Sequence, residues 1–459
     1  MAIATINPAT GETEKTYTPH TADEVEQRIA RADAAFRTLH GTTFADRAAW
    51  MRASADLLEA EVDEAADAIT REMGRPLAGA RAEVLKCVKG MRFYAEHAEA
   101  FLADEPLADP SSVGASRALA RYQPLGIVLA VMPWNYPLWQ VIRFAAPALM
   151  AGNVGLLKHA SNVPLSALYL DTLFTRGGFP EGAFATLLIG SAEVQAVVED
   201  PRVRAITLTG SEPAGRAVAS TAAAQVKKAV LELGGSDPFI VMPSADLDAA
   251  VTTAVDARLV NAGQSCIAAK RFLVHTDIYD AFAEKFTAAM SSMVMGDPFD
   301  AGTQLGPIST GSGRDDLVEL VEDAISKGAS VLTGGTVPDG PGFFYPATIL
   351  ADVTPAMRVH LEETFGPVAT LYRVADADEA LAIANGTSFG LSSAVWTTDS
   401  AEQARFEAEL EAGAVFVNGM TISYPELPFG GIKNSGFGRE LAAAGIREFC
   451  NLKAVWQGE

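Results

Sequence analysis

Two side chains in this chain have the types of a nucleophile and a base. Cys266 lies in Gly263-Gln264-Ser265-Cys266, and Glu232 lies upstream in Leu231-Glu232-Leu233-Gly234-Gly235. A thiolate is the strongest protein nucleophile near neutral pH. A carboxylate followed by two glycines suggests a side chain at a tight backbone turn that another group must approach. Taken singly, the cysteine also reads as a core residue and the glutamate as surface charge. Asn135, in Pro133-Trp134-Asn135-Tyr136-Pro137, carries a neutral amide donor. That donor suits an oxygen on which negative charge develops, or simply a turn. Gly210-Ser211-Glu212-Pro213-Ala214-Gly215 opens a helix, where free N–H groups attract phosphate. It is not a GxGxxG fingerprint and serves equally as an ordinary helix start. There are six histidines, and none stands beside a motif that would meet Cys266, which argues against a Cys–His hydrolase.

The elements that must position these groups follow from the pattern along the chain. At 459 residues the chain is too long for one core and should divide into two or three domains. Residues 21–101 read as helices: one opened by a capping box at Thr21 and Glu24, one from Ala45 to Met73, and one from Leu77 to Phe101. Pro106, Pro110 and Gly114 mark a loop. Short apolar runs then alternate with helical segments. The strands fall at Ile127–Met132, Val154–Leu157, Phe184–Ile189, Ala205–Leu208 and Ala229–Leu231, and one helix at Leu138–Met150. Such alternation predicts a parallel sheet covered on both faces, with a second α/β section from about Asp237. Arg117–Tyr122 and Leu452–Trp456 read as two further strands.

Composition narrows the function classes. The 57 acidic and 35 basic residues give a formal net charge of −22, a surface that repels nucleic acid and anionic membrane. An anionic ligand therefore needs a local positive pocket. The N-terminal residues have no basic start followed by an apolar stretch, so no signal peptide is expected, and no apolar run reaches membrane-spanning length. Three scattered cysteines, without CxxC or Cys/His clusters, predict no metal site and a cytoplasmic protein with reduced thiols.

The motifs in order resemble those of the aldehyde dehydrogenase superfamily. Besides the segments already quoted, Glu363-Thr364-Phe365-Gly366-Pro367 is similar to its E-x-F-G-P motif. The run from Pro428 to Glu440 is similar to its P-F-G-G-x-K-x-S-G-x-G-R-E signature. The resemblance covers about Asn7 to Trp456 and implies an α/β aldehyde dehydrogenase-like fold. In that fold, residues 1–112 and 126–231 would form a Rossmann-type cofactor domain and 232–425 an α/β catalytic domain. Residues 113–125 and 426–459 would form a small β oligomerisation arm with the C-terminal segment, giving a homodimer or homotetramer. It further implies Cys266 as nucleophile, Glu232 as the base that hydrolyses a thioacylenzyme, and Asn135 with the Cys266 N–H as oxyanion hole. Cofactor contacts are implied at Trp134, Asn135, Lys158, His159, Ala160, Ser161, Gly210, Ser211, Leu233, Glu363 and Phe365. NAD-preferring members commonly carry Glu at the position of Ser161. A small neutral donor beside Lys158 leaves room for the 2′-phosphate of NADP, with use of NAD also open.

Within the family, the resemblance is to its bacterial NADP-dependent succinate-semialdehyde branch, which oxidises that aldehyde to succinate. Arg143 and Ser423 match the residues that hold the substrate carboxylate there, and Arg suits bidentate carboxylate recognition. Many such enzymes place a second Arg where this chain has Val260, which implies a thinner clamp. Another semialdehyde, such as glutarate semialdehyde, and a catalytically silent binding or structural protein on this fold are the alternatives.

Overall fold

The computed structural model describes residues 2–459. Two parallel sheets organise the chain. The first contains Lys228–Glu232, Val203–Thr209, Ile127–Met132, Val154–His159 and Phe184–Thr186 in that spatial order, all parallel. Their buried, β-branched and leucine-rich runs suit a sheet covered on both faces. Chain order reverses on either side of Ile127–Met132, so the turns after Met132 and Thr209 flank a switch point. Ligands bind in such crevices. Gly436–Phe437, from the C-terminal region, adds an antiparallel edge beside Lys228–Glu232.

The second sheet runs Ser330–Thr333, Thr348–Ala351, Val368–Val374, Arg271–His275, Pro238–Val241, Ser393–Trp396, Val415–Val417. It is parallel except for its Ser330–Thr333 edge. A separate antiparallel sheet joins Cys450–Gln457, Arg117–Pro124 and Glu105–Pro106. On its outer strand Leu452 and Trp456 stand exposed. No helix among the described residues is long and apolar enough to cross a membrane.

The expected helix from Ala45 to Met73 is two helices, Phe44–Ala60 and Val62–Met73. Between them Glu61 leaves helical geometry, with its carboxylate bound by Arg176 at 2.6 and 2.9 Å and by the Tyr169 hydroxyl at 2.8 Å. A tertiary contact therefore interrupts a sequence whose local propensity is helical throughout. The predicted Phe184–Ile189 strand stops at Thr186.

Helix Trp139–Ala151 is buried along its whole length and lacks a cap from its own chain neighbours. Glu83, on the Leu77–Phe101 helix, supplies one: its carboxylate accepts from the N–H groups of Leu138 (2.9 Å) and Trp139 (3.0 Å). The same carboxylate binds Arg75 at 2.6 Å, and Arg75 lies 4.7 Å from the Tyr136 ring centre. Glu83 thus ties the exit of the Asn135 turn to the helical layer. Glu83→Ala leaves Arg75 enclosed without a partner and should cost about 3–5 kcal/mol, seen as a lower urea midpoint. An unchanged midpoint would remove Glu83 from this role.

Candidate active site

Cys266 is presented by an unusual backbone. Asn261, Ala262 and Gly263 all have positive φ (57°, 52° and 71°), a left-handed run that non-glycine residues adopt only under tertiary constraint. Gly263 has no alternative, because a Cβ there would lie 2.2 Å from the Gly366 carbonyl oxygen. Hydrogen bonds hold the run. Arg258 donates to the Gly263 carbonyl (2.7 Å), Asn261 to the Asn135 carbonyl (2.8 Å), and Asn135 Nδ2 to the Gln264 carbonyl (3.0 Å). Lys270 Nζ donates to the carbonyls of Ser265 (2.9 Å) and Cys266 (2.6 Å). One N–H of the Asn135 amide and the Cys266 backbone N–H have no partner among the described residues. Two unspent donors beside a sulfur are what an oxyanion hole requires.

The sulfur sits where two cavities meet. One, of about 280 Å³, is lined by Trp134, Asn135, Thr209, Gly210, Ser211, Leu233, Gly234, Glu363 and Phe365 together with Cys266. Trp134 and Phe365 meet edge to face at 5.8 Å and form part of its wall. Glu363 is held by Lys270 (3.0 Å) and by the Gly235 N–H (3.3 Å). A Cβ on Gly234 would stand 2.5 Å from the Glu363 carboxylate, and one on Gly235 2.8 Å from the Cys266 carbonyl. The two glycines after Glu232 therefore let both groups close in. Helix Glu212–Ala224 starts at this cavity with Ser211 making no side-chain cap, and Gly215 lets it pack on Leu233, where a Cβ would clash at 2.6 Å. Open helix-start N–H groups, an aromatic pair and a carboxylate in one cavity are the groups a dinucleotide can use.

Lys158 and His159 end the neighbouring strand and Ala160 and Ser161 follow it, all outside the lining of that cavity. Lys158 makes no ion pair among the described residues, and burial lowers its pKa against the pull of Glu193. The His159 ring turns inward instead: its Nδ1 accepts from the Ala160 N–H (2.9 Å), so Nε2 donates to the Pro137 carbonyl (2.8 Å). Burial pushes it down to about 4, and it braces the Asn135 turn as a neutral ring. The Ser161 loop is tied at both sides. Ser161 accepts from the Ala4 N–H (3.0 Å), and Glu72 caps the next helix through Leu165 and Ser166 (2.7 and 3.1 Å).

The second cavity, about 230 Å³, is lined by Cys266, Arg143, Ser423, Lys86 and Val260 among mainly apolar neighbours such as Trp139, Ile422 and Phe429. Arg143 is buried, ion-paired to Glu440, and donates to the Thr209 hydroxyl (3.3 Å) over the Phe429 ring. Ser423 is buried and accepts from Lys86 Nζ (2.8 Å) and Trp139 Nε1 (2.9 Å). Glu232 lines neither cavity. It is enclosed beside Arg143 and Glu440, with no hydrogen-bond partner on either oxygen. Burial first, then the Glu440 charge, raises its pKa well above the ordinary carboxylate range, against Arg143 and Arg439.

Sequence reasoning missed Lys86, Lys270 and Glu440 as site residues. Glu440 closes the Pro428–Glu440 signature and Lys270 follows the nucleophile by four positions, so both had a motif to reveal them. Lys86 had none. It reaches the site from a helix 337 positions away from Ser423.

A thiol shared by two cavities, beside an unspent donor pair, suits covalent catalysis on an oxygen-bearing carbon. The aldehyde dehydrogenase family model matches residues 1–455, and the chain belongs to that family. It is 64% identical over 459 residues to the succinate-semialdehyde dehydrogenase [NADP(+)] of Mycolicibacterium paratuberculosis, covering 100% of this chain and 97% of the relative. It is 62% identical over 456 residues to succinate-semialdehyde dehydrogenase [NADP(+)] 1 of Mycobacterium tuberculosis H37Rv, covering 99% and 100%. The crystal structure of succinic semialdehyde dehydrogenase from Streptococcus pyogenes with NADP+ superposes with a TM-score of 0.96 at 35% identity, covering 100% of both chains.

Burial pushes the Cys266 thiol up to about 12, against the pull of Arg143 and then Lys270. The Cys266 sulfur is therefore held as a thiol near neutral pH. Alkylation consumes thiolate, so inactivation by iodoacetamide should be slow at pH 7 and rise about tenfold per pH unit to at least pH 10. A plateau near pH 8 would contradict this.

Proposed function

We propose that this protein oxidises succinate semialdehyde to succinate with NADP, through a thioester on Cys266 that Glu232 helps to hydrolyse. The observation that carries the reading is the single sulfur shared by a dinucleotide-shaped cavity and a second cavity containing cations. The succinate-semialdehyde names of relatives at 62–64% identity support the substrate. Ser161 beside an unpaired Lys158 supports NADP, since neither repels a 2′-phosphate. NAD remains a second substrate to be measured. Residues 1–112 with 126–231 serve as the cofactor unit, 232–425 as the catalytic unit, and 113–125 with 426–459 as an arm for homo-oligomers. The exposed Leu452 and Trp456 support that last role.

Glu232, in its ionised form, takes the Cys266 proton and passes it to solvent, and the thiolate adds to the aldehyde carbon. The resulting alkoxide takes hydrogen bonds from the Asn135 amide and the Cys266 N–H. Bound NADP supplies the acceptor for the hydride that leaves this carbon, and a Cys266 thioester remains. Glu232 then takes a proton from water attacking the thioester carbonyl, and the thiolate departs as the leaving group. Its raised pKa makes it a stronger base than an ordinary glutamate, and its unpartnered oxygens leave the side chain free to turn toward the sulfur. Trp134, Phe365, Leu233, Gly210 and Ser211 enclose the cofactor side, while Lys270 holds Glu363 for the ribose.

Three measurements test the reading. Wild type should reduce NADP with succinate semialdehyde faster than NAD, and Ser161→Glu should reverse that order by adding a charge against the 2′-phosphate. Glu232→Gln should give one equivalent of NADPH per site in a burst, followed by turnover at least about 100-fold below wild type. Full steady-state turnover in Glu232→Gln would remove it as the base. Cys266→Ser should abolish both burst and turnover, and a variant that kept them would overturn the mechanism.

A further inference from the structure

We propose that Lys86, acting with the Ser423 hydroxyl, is the anion-binding end of the substrate cavity and receives the carboxylate of the semialdehyde. This rests on the semialdehyde reading above and adds Lys86 to Ser423, which the resemblance already implies as a carboxylate contact.

Lys86 stands on the Leu77–Phe101 helix and lines the same cavity as Cys266. Its Nζ donates to Ser423 Oγ at 2.8 Å and lies 4.5 Å from the Trp139 ring centre. It makes no ion pair among the described residues, whereas Lys89, one turn along the same helix, is paired with Glu426 at 2.8 Å. An ammonium carries three donors and no acceptor, so two donors stay unspent. Ser423 accepts from both Lys86 and Trp139 Nε1 (2.9 Å), which fills both lone pairs of its oxygen. Its own O–H has no acceptor among the described residues. The two side chains together therefore offer donors only, and the group that matches a donor-only pair is an ionised carboxylate.

The other cations of the cavity each have a carboxylate partner, although Arg143 keeps N–H donors beyond those that bind Glu440 and Thr209. Arg75 is bound to Glu83, Arg143 to Glu440, and position 260 is valine. Arg143 remains beside the sulfur as part of a neutralised pair, which leaves Lys86 as the uncompensated cation of the wall. An enclosed cation without a counter-charge is unfavourable. Burial lowers Lys86 to about 8, with Arg143 and Arg75 acting in the same direction and Cys87 and Glu83 opposing. A carboxylate arriving with the substrate removes that penalty. The aldehyde carbon then meets Cys266 while two methylenes cross the apolar surface of Trp139, Ile422 and Phe429.

The test compares kcat/KM for succinate semialdehyde with that for butanal, which has the same chain length and no carboxylate, at saturating NADP. In Lys86→Met the ratio of the two should fall about 10- to 100-fold, chiefly through KM for the semialdehyde, and Lys86→Arg should restore most of it. An unmoved ratio in Lys86→Met overturns the proposal, whether both rates persist or both collapse. A ratio that survives in Lys86→Met but is lost in Arg143→Met assigns the carboxylate to Arg143 and overturns it too. A wild type that does not prefer the semialdehyde to butanal would instead bring down the parent reading and this inference with it.

Discussion

The sulfur of Cys266 must be reachable from two cavities at once, and much of the surrounding structure serves that requirement. Cys266 is presented to both spaces from a sharply turned loop rather than from a helix or a strand. The chain answers with three consecutive left-handed residues, Asn261, Ala262 and Gly263. Each non-glycine residue in such a conformation costs on the order of 1–3 kcal/mol, and persists only where its surroundings over-determine it. Here Arg258, Asn135 and Lys270 all bind carbonyls of the segment between Gly263 and Cys266. The Asn135 turn is itself held by Glu83 and by the neutral ring of His159. Strain at the nucleophile is therefore offset by buried polar contacts drawn from both sheets.

Charge is organised against the overall composition. The chain is strongly acidic, yet the groups around the two cavities include Arg75, Lys86, Arg143, Lys158 and Lys270. Their roles separate by whether they have a partner. Arg75, Arg143 and Lys270 are bound to Glu83, Glu440 and Glu363 and hold the framework in register. Lys86 and Lys158 have no ion-pair partner among the described residues, Lys86 in the wall of the Cys266 cavity and Lys158 at the end of a strand outside either cavity lining. Unpaired cations in partly enclosed positions are expensive to maintain, and that expense is offset only when an anion arrives. Glu232 is the complementary case, a carboxyl whose pKa is raised well above the ordinary range by burial and then by the Glu440 charge.

Much of the architecture was legible in sequence because its signals are local. The alternating strand and helix periods located the first sheet to within a few residues, and the Thr21–Glu24 capping box and the Leu77–Phe101 helix follow from neighbouring residues alone. The motif strings also contained the groups now found at the sulfur, Asn135, Leu233, Glu363 and Phe365. Where local signals failed, a distant contact had intervened. The break at Glu61 depends on Arg176 and Tyr169, and the inward turn of His159 depends on a carbonyl in another turn.

By itself, then, the sequence determined the family, the order of its motifs and the class of enzyme, since hydrophobic period, turn glycines and short motifs act over a few neighbouring residues. The tertiary structure alone decided which charges are spent and which are free. Arg143 is committed to Glu440, far along the chain, and Lys86 meets Ser423 across 337 positions. No property of a linear string specifies such pairings. Coulombic and hydrogen-bond energies depend on distance and burial in space, and only folding sets those two quantities.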